Sequence, residues 1–117
     1  MNISEFEAEV EAVLGSLPQW VVEQINNLIV VVENRPKHEH DPTGVSLLGL
    51  YEGVSLADRG FDYFAATPDQ ISIFYQAHVT LGLDDEALRD EIRTTVLHEL
   101  AHHLGIDDER LHKLGWG

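Results

Sequence analysis

Residues 98–108 read His98-Glu99-Leu100-Ala101-His102-His103-Leu104-Gly105-Ile106-Asp107-Asp108, and they close the longest helix that the sequence predicts. That helix begins at Asp84 or Asp85, whose side chains can accept from the free amides of a first turn. Glu86 then places a negative charge where the helix dipole is positive. On a helical wheel Val96, Leu97, Leu100, Ala101 and Leu104 gather on one side, and His98 and His102 fall on the other. Gly105 is where the helix stops, because glycine enters the left-handed C-terminal cap without steric cost. Residues 107–114 predict a last short helix, with Trp116 as a packing anchor near the end.

Working outward from there, Ile3, Phe6, Val10, Val13 and Leu14 lie between glutamates at helical spacing. They predict an amphipathic helix over residues 3–14 with Asn2 or Ser4 as its N-cap and Gly15-Ser16 as its end. Pro18 suits the first turn of a second short helix that reaches Asn27 and presents Trp20, Val21 and Ile25. Leu28-Ile29-Val30-Val31-Val32 is short and β-branched, which predicts a buried strand. The polar stretch 34–44 contains Pro36 and Pro42 and predicts a surface loop. Leu47-Leu48-Gly49-Leu50-Tyr51 predicts a second strand, and Ile71-Ser72-Ile73-Phe74-Tyr75 a third. Residues 53–68 between them read as irregular, with a turn at Asp58-Arg59-Gly60. No repeat or linker divides the 117 residues, so 1–117 is expected to be one domain.

The chain has no cysteine, which removes disulfides, iron–sulfur clusters and thiol nucleophiles from consideration. Any metal site must be built from His, Asp and Glu. Seven basic residues against 21 acidic ones give a formal charge of −14. A field of that sign repels phosphate backbones and anionic lipid and attracts cations, so neither nucleic acid nor membrane is an expected partner. The first residues lack the basic start and apolar run of a signal peptide. The longest apolar run, Leu28 to Val32, is too short to cross a bilayer. A cytoplasmic protein is the expectation.

Positions i and i+4 of a helix lie one turn apart on the same face, so His98 and His102 present two imidazoles to one ion. Zinc takes neutral imidazole nitrogen at roughly 2.0–2.1 Å and prefers about four ligands. Glu99 lies about 100° around the helix from His98. It can lean toward the ion, accept a proton from an attacking water, and pass that proton to a leaving amine. Gly105 follows His102 at +3 and Asp108 at +6. A sharp turn at Gly105 can return Asp108 to the metal as a third protein ligand, leaving a fourth position open as a catalytic zinc site requires. With 7 His and 12 Glu in the chain, His-Glu-x-x-His arises by chance at roughly 4%. Demanding Gly105 and Asp108 as well lowers that to about 0.02%. One Zn²⁺ per chain is the default, although two imidazoles and a carboxylate also suit manganese, cobalt or nickel.

Other titratable groups read more weakly. His38-Glu39-His40-Asp41 lies in the Pro-flanked loop and is expected to be solvated. His103 points off the metal face and can pack or meet solvent. His112 competes with Asp108 as third ligand on sequence distance alone. Glu91 shares the wheel angle of His98 and is either a support for the ligands or an exposed helix residue. Tyr75 is either a donor to an oxyanion or a half-buried strand residue.

The chain resembles the short bacterial zincin-like metallopeptidases, also called minimal zincins. The resemblance rests on Val30-Val31-Val32-Glu33, Leu48-Gly49-Leu50-Tyr51-Glu52-Gly53, Ile71-Ser72-Ile73-Phe74-Tyr75 and the block from His98 to Asp108. It implies a small α+β fold with a short mixed sheet, N-terminal helices and one metal-bearing helix. It implies His98, His102 and Asp108 as zinc ligands and Glu99 as catalytic base. The motif is also similar to that of the metzincins, with Asp in place of the commoner His; the methionine turn of that group has no counterpart, since Met1 is the only methionine.

The resulting expectation is a zinc-dependent peptidase acting on a peptide or protein, with substrate added as a strand along Ile71–Tyr75. A non-catalytic zinc-binding interaction module is the alternative, because the chain is too short for a second subdomain walling a cleft. A metal-dependent RNase is a third reading, which the −14 charge opposes.

Overall fold

Asn2 accepts from the Glu5 amide at 2.8 Å, and the Glu5 carboxylate accepts from the Asn2 amide at 3.0 Å. This reciprocal cap starts α1 (Ile3–Gly15), which buries Phe6, Val10 and Val13. The structure, a computed structural model, describes residues 1–63 and 67–113, without the side chain of Asp108. Trp116 therefore lies outside the described residues. Helix α2 (Gln19–Gln24) follows Pro18 and ends three residues before the expected Asn27, which instead adopts φ 53° just ahead of the first strand.

Among the described residues three strands form the sheet: β1 (Leu28–Glu33), β2 (Gly49–Glu52) and β3 (Asp69–Phe74). Their order is β1-β3-β2, with β1 parallel and β2 antiparallel to β3. The central position thus belongs to β3, and β1 is an edge. This corrects the expectation of a buried first strand: Leu28, Val30 and Val32 pack on the core while Ile29 on the other face is 44% exposed. An unbroken β-branched run looks the same whether one or two faces are covered, so its composition could not decide.

The third strand also stops earlier than expected. Tyr75 opens the short helix α3 (Tyr75–Val79), where its ring meets Phe6 edge-on and its hydroxyl donates to the Met1 carbonyl at 2.6 Å. Tyr75 is thereby a tie to the N-terminus and not an oxyanion donor. Substrate cannot add along Ile71–Tyr75 either, because β3 is paired on both sides.

Helix α4 (Asp85–Leu104) starts where Asp84 accepts from the Ala87 amide at 2.8 Å and ends at Gly105, φ 75°. Leu88, Ile92, Val96, Leu97, Leu100 and Leu104 join Ile71, Ile73, Phe6, Val10, Val13 and Val21 in one buried cluster. Each such side chain contributes about 1.5–3 kcal/mol on burial, so the α4–sheet–α1 contact dominates stability. The exposed Arg89–Glu9 pair at 2.9 Å adds little beside it. Beyond Ile106 and Asp107 the chain forms α5 (Asp108–Lys113).

His38, Glu39 and His40 are exposed, as the loop reading requires. Asp41 differs: it is buried, and its carboxylate accepts from Thr43 Oγ1 at 2.7 Å and from the Ser46 and Leu47 amides at 2.8 Å. Those bonds lower its pKa to about 2 and make it the organiser of the loop leading into β2. Among the described residues no helix is long and apolar enough to cross a membrane.

Candidate metal centre

Helix α4 brings His98, Glu99 and His102 together, with one ligand atom from each lying within 4.8 Å of the others. The two imidazole centroids are 4.7 Å apart, and His102 Nδ1 is 3.8 Å from the Glu99 carboxylate. The lean of Glu99 toward the histidine face is therefore realised. Glu99 is 7% exposed, while the His102 side chain is 45% exposed, so the cluster opens to solvent on one side and to the core on the other. Gly105 makes the expected left-handed turn, and Asp108 becomes the first residue of α5; its side chain lies outside the described residues. His112 is exposed on α5 and is not part of the cluster.

Strand β2 lies directly on the turn of α4 that carries Glu99. A Cβ at Gly49 would sit 2.8 Å from Thr95 Cγ2 and 3.0 Å from Glu99 Cγ, so a side chain there would push strand and helix apart. Burial raises the Glu99 pKa above 4.5, opposed by the charges of His102 and His98 and by the Tyr51 backbone N–H. A carboxylate raised in this way is a stronger proton acceptor than a solvated one.

A second buried polar system sits behind the cluster, and none of its own residues carries a local sequence pattern. Asp69, 3% exposed, accepts from the Tyr51 hydroxyl, from His103 Nδ1 at 2.9 Å and from Arg59 Nη2 at 3.0 Å, with the Val54 amide at 3.3 Å. His103 is fully buried and its Nε2 accepts from the Asn26 amide at 3.3 Å. An amide can only donate, so His103 is the neutral tautomer with its proton on Nδ1. Burial would raise the Asp69 pKa, but the bonds from Tyr51, His103, Val54 and Arg59 outweigh it and hold the group below 3.8. The one trace along the chain is Gly53, whose φ of 148° belongs to glycine and whose missing Cβ leaves room for Asp69.

His78 is buried on the other side of Thr95. Its Nδ1–H donates to the Phe74 carbonyl at 2.7 Å, and Nε2 meets the Thr95 hydroxyl at 2.9 Å. Glu91, half-buried, has its carbonyl 3.0 Å from that same hydroxyl and contributes its charge to His78, and it is not within the His98–Glu99–His102 cluster.

Burial depresses the pKa of both His78 and His103 below 6.5. As pH falls through 6.5 the unfolded chain takes up these protons first, so stability is full above that value and declines below it. Metal-free protein is expected to lose urea resistance between about pH 7 and 5.5, with a shallower slope in His78→Gln. A pH-independent midpoint across that range would contradict the depressed pKa of both rings.

The family model for zincin-like metallopeptidases matches residues 25–116. Among solved structures, a conserved hypothetical protein from Thermo thermophilus is similar at 25% identity and TM-score 0.59, over 97% of this chain and 99% of that one. No curated protein matches the sequence.

Proposed function

Because the chain belongs to the zincin-like metallopeptidase family, we propose that it is a zinc-dependent peptidase in which His98, His102 and Asp108 hold the metal and Glu99 is the general base. The observation that carries this reading is the convergence of His98, Glu99 and His102 beside the edge of β2 that no described strand pairs. The donor set fits zinc: His98 and His102, one helical turn apart, offer the imidazole nitrogen that zinc prefers, and Asp108 would add a carboxylate oxygen. Zinc supplies Lewis acidity that polarises a carbonyl and makes water a better nucleophile.

The rest falls to the protein. Glu99 accepts the proton of the attacking water and delivers it to the departing amine nitrogen. The open side of β2 offers backbone groups to an extended peptide, in place of the doubly paired β3. Gly49 keeps that edge in contact with the Glu99 turn. The substrate is accordingly a peptide or protein segment able to extend, and neither nucleic acid nor lipid is proposed as a partner.

A cavity of about 680 Å³ away from the centre favours the module reading in one respect. It is lined by residues such as Val54, Arg59, Tyr63 and Asp69 and includes none of His98, Glu99 or His102. A module would lose stability on chelation and yield no cleavage of any peptide.

Metal analysis of untagged protein tests the site itself. About one zinc per wild-type chain is expected, and His102→Ala is expected to lose it. Equal zinc in both proteins, or none in either after zinc is added back, would remove the centre as proposed.

A further inference from the structure

Tyr51 contacts the candidate centre in two ways and the buried Asp69–His103 system behind it in two more. Its backbone N–H faces the Glu99 carboxylate. Its ring meets His102 edge-on, 6.4 Å between centroids, and His103 likewise at 5.9 Å. Its hydroxyl donates to Asp69 at the first position of β3. Asp69 is itself immobilised by His103 from the last turn of α4, by Arg59 and by the Val54 amide, and His103 is pinned by the Asn26 amide ahead of β1. The tie therefore joins β2, β3, α4 and two connecting segments through one buried carboxylate.

We propose that Tyr51, held by Asp69, is a positioning residue that keeps Glu99 and His102 in register with the open edge of β2; this rests on the metal-centre reading above. Strand β2 has only four residues and is paired along one side, so backbone bonds alone hold its far end weakly. A tyrosine fixed at both its backbone and its hydroxyl has no rotamer left to explore, and its ring then limits the swing of the half-exposed His102. Metal sites tolerate little slack, because a ligand displaced by about 0.5 Å no longer meets the ion in a productive geometry. Removing groups that orient metal ligands costs about 10–100-fold in affinity, and an indirect tie belongs at the lower end of that range.

The test compares untagged wild type, Tyr51→Phe, Asp69→Asn and Tyr75→Phe. The last is a matched control: it also deletes one tyrosine hydroxyl and its hydrogen bond, there to the Met1 carbonyl and away from the centre. Zinc affinity is read by competition with a chromophoric chelator, and ligand geometry by the visible spectrum of the cobalt-loaded protein. Tyr51→Phe and Asp69→Asn are expected to bind zinc about tenfold more weakly and to shift the cobalt bands. Tyr75→Phe is expected to match wild type in both. Should Asp69→Asn fail to fold, Tyr51→Phe decides alone. Affinity and spectrum equal in Tyr51→Phe and Tyr75→Phe would overturn the positioning role while leaving the centre intact. A wild type that binds no zinc would overturn the centre, and the positioning role with it.

Discussion

Replacing Glu99 by glutamine is expected to leave one zinc bound per chain and to lower the rate of peptide hydrolysis by about 10²–10⁴-fold. The exchange keeps the shape of the side chain and an oxygen for the Tyr51 backbone N–H, so β2 and α4 should stay in place. What disappears is the site that takes the proton. Burial makes the Glu99 charge costly, and the neutral amide removes that cost, so metal-free Glu99→Gln should unfold at no lower urea concentration than wild type. Cleavage of a quenched peptide library, run beside metal analysis of the same samples, separates the outcomes. Full activity with zinc bound would dismiss Glu99 as base. Loss of the zinc itself would make Glu99 a ligand, which its distance from His102 Nδ1, 3.8 Å, also permits.

The metal helix was legible in full because every signal for it is local. Asp84 at the start, the apolar stripe from Val96 to Leu104 and Gly105 at the end sit within one helix length of the residues they govern. The start of α1 was legible as Asn2 or Ser4, and the reciprocal bonds with Glu5 decide for Asn2. Strand order was not. Leu28–Val32 is an unbroken apolar run and Ile71–Tyr75 an alternating one, and only the paired structure gives the centre to β3 and the edge to β1. Tyr75 left the strand because the chain turns into α3 immediately after Phe74, a change that alternation in five residues cannot reveal. The third ligand, Asp108, remains an assignment from motif spacing. The Asp69 system was least legible, since Tyr51 and His103 reach it across 18 and 34 residues of chain. Each reads alone as an ordinary packing residue, and His103 became informative only once Asp69 and Asn26 were seen on its two nitrogens.

Gly53→Ala is expected to destabilise the protein by about 3–5 kcal/mol, the range for breaking a buried charge network. Two costs combine at this position. The backbone angle φ 148° is one that side chains avoid, at about 1–3 kcal/mol. The new Cβ would also fall 2.3 Å from Asp69 Cγ, so the carboxylate must leave the site where Tyr51, His103 and Arg59 converge. His103 would then be left with an unsatisfied donor in the interior, and Arg59 would lose its ion pair. Gly82→Ala separates these effects, because Gly82 has φ 71° and an added Cβ there would meet no atom within 4 Å. Its cost should be only the left-handed penalty of about 1–2 kcal/mol. Urea unfolding of both variants gives the difference directly, and zinc titration shows whether it reaches the centre. If Gly53→Ala costs no more than Gly82→Ala, Asp69 yields easily, and a carboxylate that yields cannot hold Tyr51 in place. If it costs more and zinc binding weakens only there, the strain has travelled from Gly53 through Asp69 and Tyr51 to His102.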